Sequence, residues 1–215
     1  MLTGPAFIPK QVQNVVILCH GYGSDGQDLM GLVPYLKTEN TAFFAPNAPT
    51  PILHQGGYQW FSLDSFDFMN YETGKKLNDL AFQNLPEITD FIANIQNDFN
   101  PQKIILGGFS QGGLIALQTA LIANLPISGV MGLSAVPLLT DALCYDKRPF
   151  NTDIPVLLTA GTDDMVIPLP AHAEMVKSLS RKGVALTDTV IPHMEHEINM
   201  QCLSAMQNFL DTYLK

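Results

Sequence analysis

The stretch KIILGGFSQGGLIALQTALIA, Lys103–Ala123, decides the fold. Its first six residues, Lys103–Gly108, form an apolar run of strand length, and the residues from Gln111 onward have helical spacing. Between them lies GFSQG at 108–112, which matches G-x-S-x-G, a sharp turn that exposes a serine between a strand and a helix. The stretch therefore predicts a strand–turn–helix unit that carries Ser110 as a nucleophile. The alternative is a glycine-rich turn that only closes a strand.

Apolar runs of strand length alternate with helical stretches along the whole chain. The runs VVILC, KIILGG and PVLLTA are apolar on both faces, as the strands of a buried parallel sheet are. The predicted strands are Asn14–Cys19, Thr41–Ala45, Lys103–Gly108, Ile127–Leu133, Pro155–Ala160 and Ala185–Ile191. The predicted helices are about Gln27–Lys37, Lys75–Asp98, Gln111–Ala123, Pro170–Lys182 and Glu197–Tyr213. This order predicts one α/β domain over residues 1–215, a doubly wound and mostly parallel sheet flanked by helices, with long loops at Pro46–Thr73 and Leu138–Asp153.

The composition limits the classes of protein. With 47% hydrophobic and 14% charged residues the chain suits a folded domain, and no apolar run has the length of a membrane span. The formal charge of −9 and the lack of a Lys/Arg cluster argue against a nucleic-acid partner. Three scattered cysteines, and an N-terminal stretch without a secretory signal pattern, predict a cytoplasmic protein with reduced thiols.

Candidate acids and bases follow two later strands. A serine nucleophile needs a histidine to take its proton and a carboxylate to orient that histidine, and in this fold the order is Ser, Asp/Glu, His. The segment GTDDMVIP at 161–168 offers Asp163 and Asp164, and IPHMEHE at 191–197 offers His193 and His196. Spacing alone selects neither member of each pair, since either aspartate could cap a turn and either histidine could be a surface residue.

A glycine-rich segment, CHGYGSDG at 19–26, follows the first strand. A loop at this place can aim a backbone N–H at the oxygen of a substrate carbonyl, and the second donor is the N–H of the residue after the nucleophile. We assign these two donors to Tyr22 and Gln111. The alternative is a glycine-rich turn in which His20 has a structural role.

The chain resembles the carboxylesterase, lysophospholipase and acyl-protein thioesterase branch of the α/β-hydrolases. The matching elements, in order, are L-x-H-G-x-G-x-x-G at 18–26, A-P at 45–46, Q-W-F at 59–61, G-F-S-Q-G at 108–112, L-S at 133–134, G-x-x-D-x-x-(V/I)-P at 161–168 and M-x-H at 194–196. The resemblance implies that Asp164 is the acid and His196 the base. The chain departs from the family pattern at Cys19, where many members have leucine. It also departs over residues 64–73, which match no family motif residue by residue.

This resemblance also implies a chemistry. Ser110 attacks an ester or thioester carbonyl, and water later hydrolyses the acyl-enzyme, without a metal ion or an organic cofactor. The expected partner is a small-molecule or lipid ester or thioester, and members of the family are often monomers or weak homodimers. There are two alternatives: a lactone or amide hydrolase on the same fold, and a binding module without catalysis. The binding module is disfavoured because it would not need a nucleophile, an acid, a base and both N–H donor loops in the family order.

One predicted loop is unusually rich in apolar side chains: Trp60, Phe61, Leu63, Phe66, Phe68 and Met69. An apolar lining there would suit an acyl chain; the alternative is that these residues simply pack the loop onto the sheet. A sharper hypothesis makes Phe66, Phe68 and Met69 a mobile flap that covers the acyl site or touches lipid. Acidic residues in the same stretch argue against strong attraction to anionic membranes, so any peripheral contact is expected to be weak.

Overall fold

The computed structural model describes residues 1–54, 56–63, 69–145 and 147–215. The strands within these residues are β1 Ala6–Phe7, β2 Asn14–Cys19, β3 Thr41–Phe44, β4 Thr50–Pro51, β5 Tyr58–Gln59, β6 Lys103–Phe109, β7 Gly129–Leu133, β8 Val156–Gly161 and β9 Leu186–Ile191. The α-helices are α1 Gly26–Met30, α2 Tyr71–Phe82, α3 Leu85–Phe99, α4 Gln111–Ile122, α5 Leu169–Arg181 and α6 Met200–Tyr213. Short 3-10 helices span Val33–Tyr35 and Leu143–Tyr145.

The main sheet has the strand order β1-β3-β2-β6-β7-β8-β9. All neighbouring strands in it run parallel except β1, which pairs antiparallel with β3. A small second sheet joins β4 to β5. Because parallel strands end at the same edge, the residues after β2, β6, β8 and β9 meet there, where ligands bind in open α/β sheets.

Both faces of the sheet are buried, which explains the continuous apolar runs. Val15 and Ile17 of β2 pack in one core with residues of α2, α3, α4 and α5, while Val16 and Leu18 pack in a second core with α1 and α6. Successive side chains of a strand point to opposite faces, so a strand covered on both faces must be apolar at successive positions. The predicted α/β sheet flanked by helices is confirmed.

Two predicted helices are wrong in extent. The helix expected over Gln27–Lys37 ends at Met30, because Gly31 follows and the chain then tightens into the 3-10 turn that contains Pro34. The helix expected over Lys75–Asp98 is two helices that break at 83–84. Pro86 lies in the first turn of α3, where its missing N–H is tolerated; in a continuous helix its ring would clash with the carbonyl four residues earlier.

The short strands β1, β4 and β5 were not predicted. Each has only two residues, too few for a periodic pattern, and β4 and β5 lie inside the stretch expected to be a loop. Within the described residues, no helix is both long enough and apolar enough to cross a membrane.

Candidate active site

Ser110 lies on the turn between β6 and α4 with a strained backbone. Its φ is 53° and its ψ is −114°, a conformation that residues with a side chain rarely adopt. Two glycines make this turn possible: a Cβ on Gly108 would overlap the carbonyl of Gly112, and a Cβ on Gly112 would overlap the carbonyl of Cys19. The turn is therefore the predicted one, with the serine at the helix N-terminus.

Three of the candidate side chains form one line of contacts. The Oγ atom of Ser110 lies 2.9 Å from Nε2 of His196. The Nδ1 atom of the same imidazole lies 2.8 Å from Oδ2 of Asp164. The ring of His196 also packs against Phe109, with the ring centroids 4.7 Å apart. Each ring nitrogen of His196 thus has a hydrogen-bond partner: Nε2 faces the hydroxyl of Ser110, and Nδ1 faces the carboxylate of Asp164.

The Asp164 carboxylate is buried and well supplied with donors. Its Oδ1 atom accepts hydrogen bonds from the backbone N–H groups of Val166 and Ile167, both at 2.8 Å. Burial by itself raises the pKa of a carboxyl, but the bonds from His196 and from these two N–H groups outweigh it. The pKa of Asp164 is therefore held below its ordinary value, and the group stays ionised.

The other members of the two candidate pairs lie outside this line. The side chains of Asp163 and His193 are exposed, and Nδ1 of His193 lies 3.5 Å from Oδ2 of Asp163. The structure therefore brings Asp164 and His196 to Ser110 and leaves Asp163 and His193 at the surface.

The segment after β2 lies close to the serine. A Cβ built on Gly21 would lie 3.4 Å from the Cβ of Ser110, so the two loops are in near contact. Tyr22 lines the same cleft as Ser110 and His196. Within the described part of the chain, the N–H groups of Tyr22 and Gln111 donate to no protein acceptor. Both remain available to a ligand, as the sequence-based assignment requires.

His20 holds the orientation of the Gly21–Tyr22 peptide. The Ala48 N–H donates to Nε2 of His20 at 2.9 Å, so the ring hydrogen is on Nδ1, which donates to the Gly21 carbonyl at 2.7 Å. Since the C=O and N–H of a trans peptide point in opposite directions, the Tyr22 N–H is turned away from His20. Burial lowers the pKa of His20, which favours this neutral form.

Trp60 and Phe61 are buried, with 1% and 5% of their surfaces exposed. The side chain of Gln111 holds their backbone: its Oε1 accepts the Trp60 N–H at 2.8 Å and its Nε2 donates to the Phe61 carbonyl at 2.7 Å. The Trp60 ring N–H donates to the carbonyl of His20 at 2.9 Å. The structure therefore places Trp60 and Phe61 in packing positions, and neither is among the described residues that line the cleft over Ser110.

The remaining loop residues have different positions. Leu63 lines the cleft over Ser110, whereas Met69 lines a separate apolar pocket beside the N-terminus of α2. Phe66 and Phe68 lie outside the described residues, and the proposed flap with them.

Four apolar residues of the cleft were not predicted to bind substrate, Leu29, Phe109, Val136 and Val166, and the last three follow predicted strands. Val136 lies just beyond β7, and Val166 lies two residues after Asp164. Inspection of every strand end would have found them, since strand-end loops surround the ligand in this fold. Among the described residues, no group of three His, Cys, Asp or Glu side chains is arranged to hold a metal ion.

Comparison with known proteins places the chain in a family. The family model described as phospholipase/carboxylesterase matches residues 8–214. An acyl-protein thioesterase 1 of Debaryomyces hansenii is 27% identical, covering 96% of this chain and 94% of that protein, and one of Emericella nidulans is 28% identical, covering 98% and 95%.

Solved structures agree. The esterase PE8 superimposes with a TM-score of 0.86 at 28% identity, covering 99% of both chains. The acyl-protein thioesterase 2 of Zea mays shares the fold, with a TM-score of 0.77 at 18% identity and coverage of 99% and 100%. The chain belongs to the phospholipase/carboxylesterase family of the α/β-hydrolases and is a carboxylic ester hydrolase.

Proposed function

We propose that the protein cleaves carboxylic ester or thioester bonds through an acyl-enzyme on Ser110, with His196 as base and Asp164 as the acid that orients it. One observation carries the proposal: Asp164, His196 and Ser110 are joined at 2.8 and 2.9 Å. These are hydrogen-bond distances, and the order carboxylate, imidazole, hydroxyl is the one that activates a serine.

In the first step the Ser110 hydroxyl attacks the carbonyl carbon of the substrate while its proton moves to Nε2 of His196. The Nδ1–H of the ring donates to Asp164, whose ionised carboxylate stabilises the imidazolium that forms. The strained backbone of Ser110 places the hydroxyl at the cleft beyond the carboxyl ends of the strands.

The tetrahedral intermediate carries its negative charge on the former carbonyl oxygen. The N–H groups of Tyr22 and Gln111 are the donors we assign to it. Loss of one such donor typically raises the barrier by about 3 kcal/mol. Gln111 has two separate roles here: its side chain holds the Trp60–Phe61 backbone, while its own N–H, which has no acceptor among the described residues, is left for the substrate.

Collapse of the intermediate expels the alcohol or thiol, which takes the proton from His196 and leaves Ser110 acylated. A water molecule then attacks the acyl carbonyl while His196 again accepts a proton. The second tetrahedral intermediate releases the carboxylic acid and restores the serine.

The cleft supports an apolar acyl group as the part of the substrate that is recognised. Leu63, Phe109, Val136 and Val166 line it around Ser110. Relatives that resemble this chain over nearly their whole length include acyl-protein thioesterases, so a small-molecule or lipid ester or thioester is the proposed substrate class.

The proposal is tested by hydrolysis of p-nitrophenyl esters from acetyl to palmitoyl with the wild type, Ser110→Ala and Ser180→Ala. Ser180 is an exposed serine of α5 and serves as a matched control. We expect Ser110→Ala to abolish activity on every ester and Ser180→Ala to keep it. Activity that survives in Ser110→Ala, or its absence from the wild type, would reject Ser110 as the nucleophile. The chain-length optimum reports the depth of the acyl site.

A further inference from the structure

The loops that carry the acid and the base leave neighbouring strands side by side. Gly161 at the end of β8 pairs with Ile191 at the end of β9. The pairing continues beyond the strands, since the Thr162 N–H donates to the Ile191 carbonyl at 3.0 Å and the Asp163 N–H donates to the Met194 carbonyl at 3.1 Å. The relative position of the two loops is therefore set by contacts other than those among Ser110, His196 and Asp164.

Met194 anchors the middle of the base loop. Its side chain is fully buried in the core beneath α6. A Cβ on Gly161 would overlap the carbonyl of Met194, so the two backbones are in direct contact at this point. The base loop is thus fixed at Met194, and its flanking residue His193 depends on other contacts.

The hydroxyl of Thr162 supplies such a contact. Its Oγ1 atom accepts the backbone N–H of His193 at 2.8 Å and donates to Oδ1 of Asp163 at 2.7 Å. This second bond is the main reason that the pKa of Asp163 lies below its ordinary value. An ionised Asp163 accepts the hydroxyl hydrogen and so leaves an oxygen lone pair of Thr162 for His193.

His193 needs this support because its backbone is strained. Its φ is 58°, in the left-handed region that is costly for a residue with a side chain. Its imidazole is exposed, and the contact that it adds within the described part of the chain is the 3.5 Å approach of Nδ1 to Oδ2 of Asp163. The short bond from its N–H to Thr162 is therefore the stronger of its contacts with the acid loop.

We propose that Thr162 is a positioning residue whose hydroxyl holds the base loop against the acid loop and thereby sets the contact between Asp164 and His196. The inference rests on the proposed function, since it concerns the alignment of that base. The inference also gives Asp163 and His193 a role: together with Thr162 they hold the two loops that carry Asp164 and His196 in place.

The test compares Thr162→Val, Thr162→Ser and Thr187→Val on p-nitrophenyl butyrate, with active sites counted by a fluorophosphonate label. Valine keeps the shape of threonine and removes the hydroxyl, while serine keeps the hydroxyl. Thr187 is an exposed residue of β9 without a side-chain hydrogen bond among the described residues and is the matched control. We expect Thr162→Val to lower kcat about tenfold at unchanged KM, because a misaligned base slows proton transfer. Thr162→Ser and Thr187→Val should stay within about twofold of the wild type.

A double-mutant cycle separates positioning from a general structural role. If Thr162 acts through Asp164 and His196, Thr162→Val should lower kcat by less than about twofold in the Asp164→Asn background. The reason is that the effects of coupled sites are not additive. An additive tenfold loss, an unchanged kcat in Thr162→Val, or an equal loss in Thr162→Ser would each overturn the proposal. Melting curves verify folding, and Thr162→Ala replaces the valine variant should that one not fold. Activity retained in Ser110→Ala would instead overturn the proposed function.

Discussion

The Asp164 carboxylate lies 2.8 Å from Nδ1 of His196 through one oxygen and uses its other oxygen for two backbone N–H groups. The two backbone contacts hold the carboxylate in place, so the hydrogen-bond acceptor beside the His196 ring is already oriented, as the proposed mechanism requires. Such preorganisation is what makes a buried carboxylate effective beside an imidazole.

Asp164→Asn should lower kcat by about 10³- to 10⁴-fold with little change in KM, because an amide facing Nδ1 favours the wrong tautomer of the imidazole. The Asn oxygen can still accept the N–H groups of Val166 and Ile167, so the loop should stay folded. Asp163→Asn, the same substitution one residue earlier, should lower kcat by about tenfold or less. Steady-state kinetics with both variants checks this; an equal loss in the two would contradict the assignment of Asp164.

Asp164 should also make stability depend on pH in the acid range. Its pKa is lower in the folded protein than in the unfolded chain, so it stabilises the fold above the ordinary carboxyl value of about 4. That contribution is lost as the pH falls from there through the lower native pKa. Urea unfolding at pH 7, 4 and 3 should show the free-energy difference between wild type and Asp164→Asn shrinking toward acid pH. A difference that is constant with pH would exclude a depressed pKa.

His20→Leu should reduce both activity and stability, because it leaves the Ala48 N–H and the Gly21 carbonyl without their partner. A buried polar group left unpaired costs about 1–3 kcal/mol, and a released Tyr22 N–H should lower kcat by about tenfold or more at similar KM. Thermal melting and kinetics on the same preparation measure the two effects. Unchanged kcat in a folded variant would show that His20 does not orient the Tyr22 peptide.

The same variant tests the charge state of His20. Burial lowers the pKa of this histidine, so the folded state binds its proton less readily than the unfolded chain does. Its contribution to stability is complete above the ordinary value of about 6.5 and is lost as the pH falls from there through the lower native pKa. The stability difference between wild type and His20→Leu should therefore shrink between pH 7.5 and pH 5.5. A difference that grows toward acid pH would mean that His20 is charged in the fold.

Gly108→Ala should prevent or severely weaken folding. The Cβ of an alanine at 108 would overlap the backbone of Gly112, and the tight turn around Ser110 leaves no room for that backbone to move. Gly183→Ala is the matched control. Unlike Gly108, Gly183 has a positive φ, of 81°, and among the described residues nothing lies within 4 Å of a Cβ built there. The control should lose only the backbone cost of about 1–2 kcal/mol. Equal stability of the two variants in chemical denaturation would contradict the close approach at the turn.

Thiol reagents should leave the native enzyme active. Cys19 and Cys202 are buried, which raises the pKa of the Cys19 thiol to about 12 and that of the Cys202 thiol to about 11. Cys144 is half-buried, and burial raises its pKa to about 12. Reactivity follows the thiolate, so iodoacetamide at pH 7.5 should label native protein slowly and unfolded protein fully, without loss of ester hydrolysis. Rapid inactivation would place a reactive thiol near the cleft.

Some features were predictable because they are encoded within a few neighbouring residues. The G-x-S-x-G turn of 108–112 and the buried run of β2 depend on local sterics and on burial of both sheet faces. The break between α2 and α3 was also encoded locally, in Pro86, but the helical periodicity on both sides concealed it.

Other features depend on residues far apart in the chain. The burial of Trp60 and Phe61 is fixed by the side chain of Gln111, about 50 positions later, and an apolar loop has the same composition whether it lines a cleft or fills a core. Sequence patterns do not record which of these contacts forms.

The sequence by itself determined the parallel strands of the sheet, the turn that presents Ser110 and the two short segments that offer a candidate acid and a candidate base. Between Asp163 and Asp164, and between His193 and His196, spacing left the choice open and only the family resemblance selected a pair. The tertiary structure brings one member of each pair to Ser110: Gly161 pairs with Ile191, so the two loops emerge side by side, with Asp164 and His196 turned inward and Asp163 and His193 at the surface. Distances between side chains on separate strands follow from that register, which no single segment of the sequence contains.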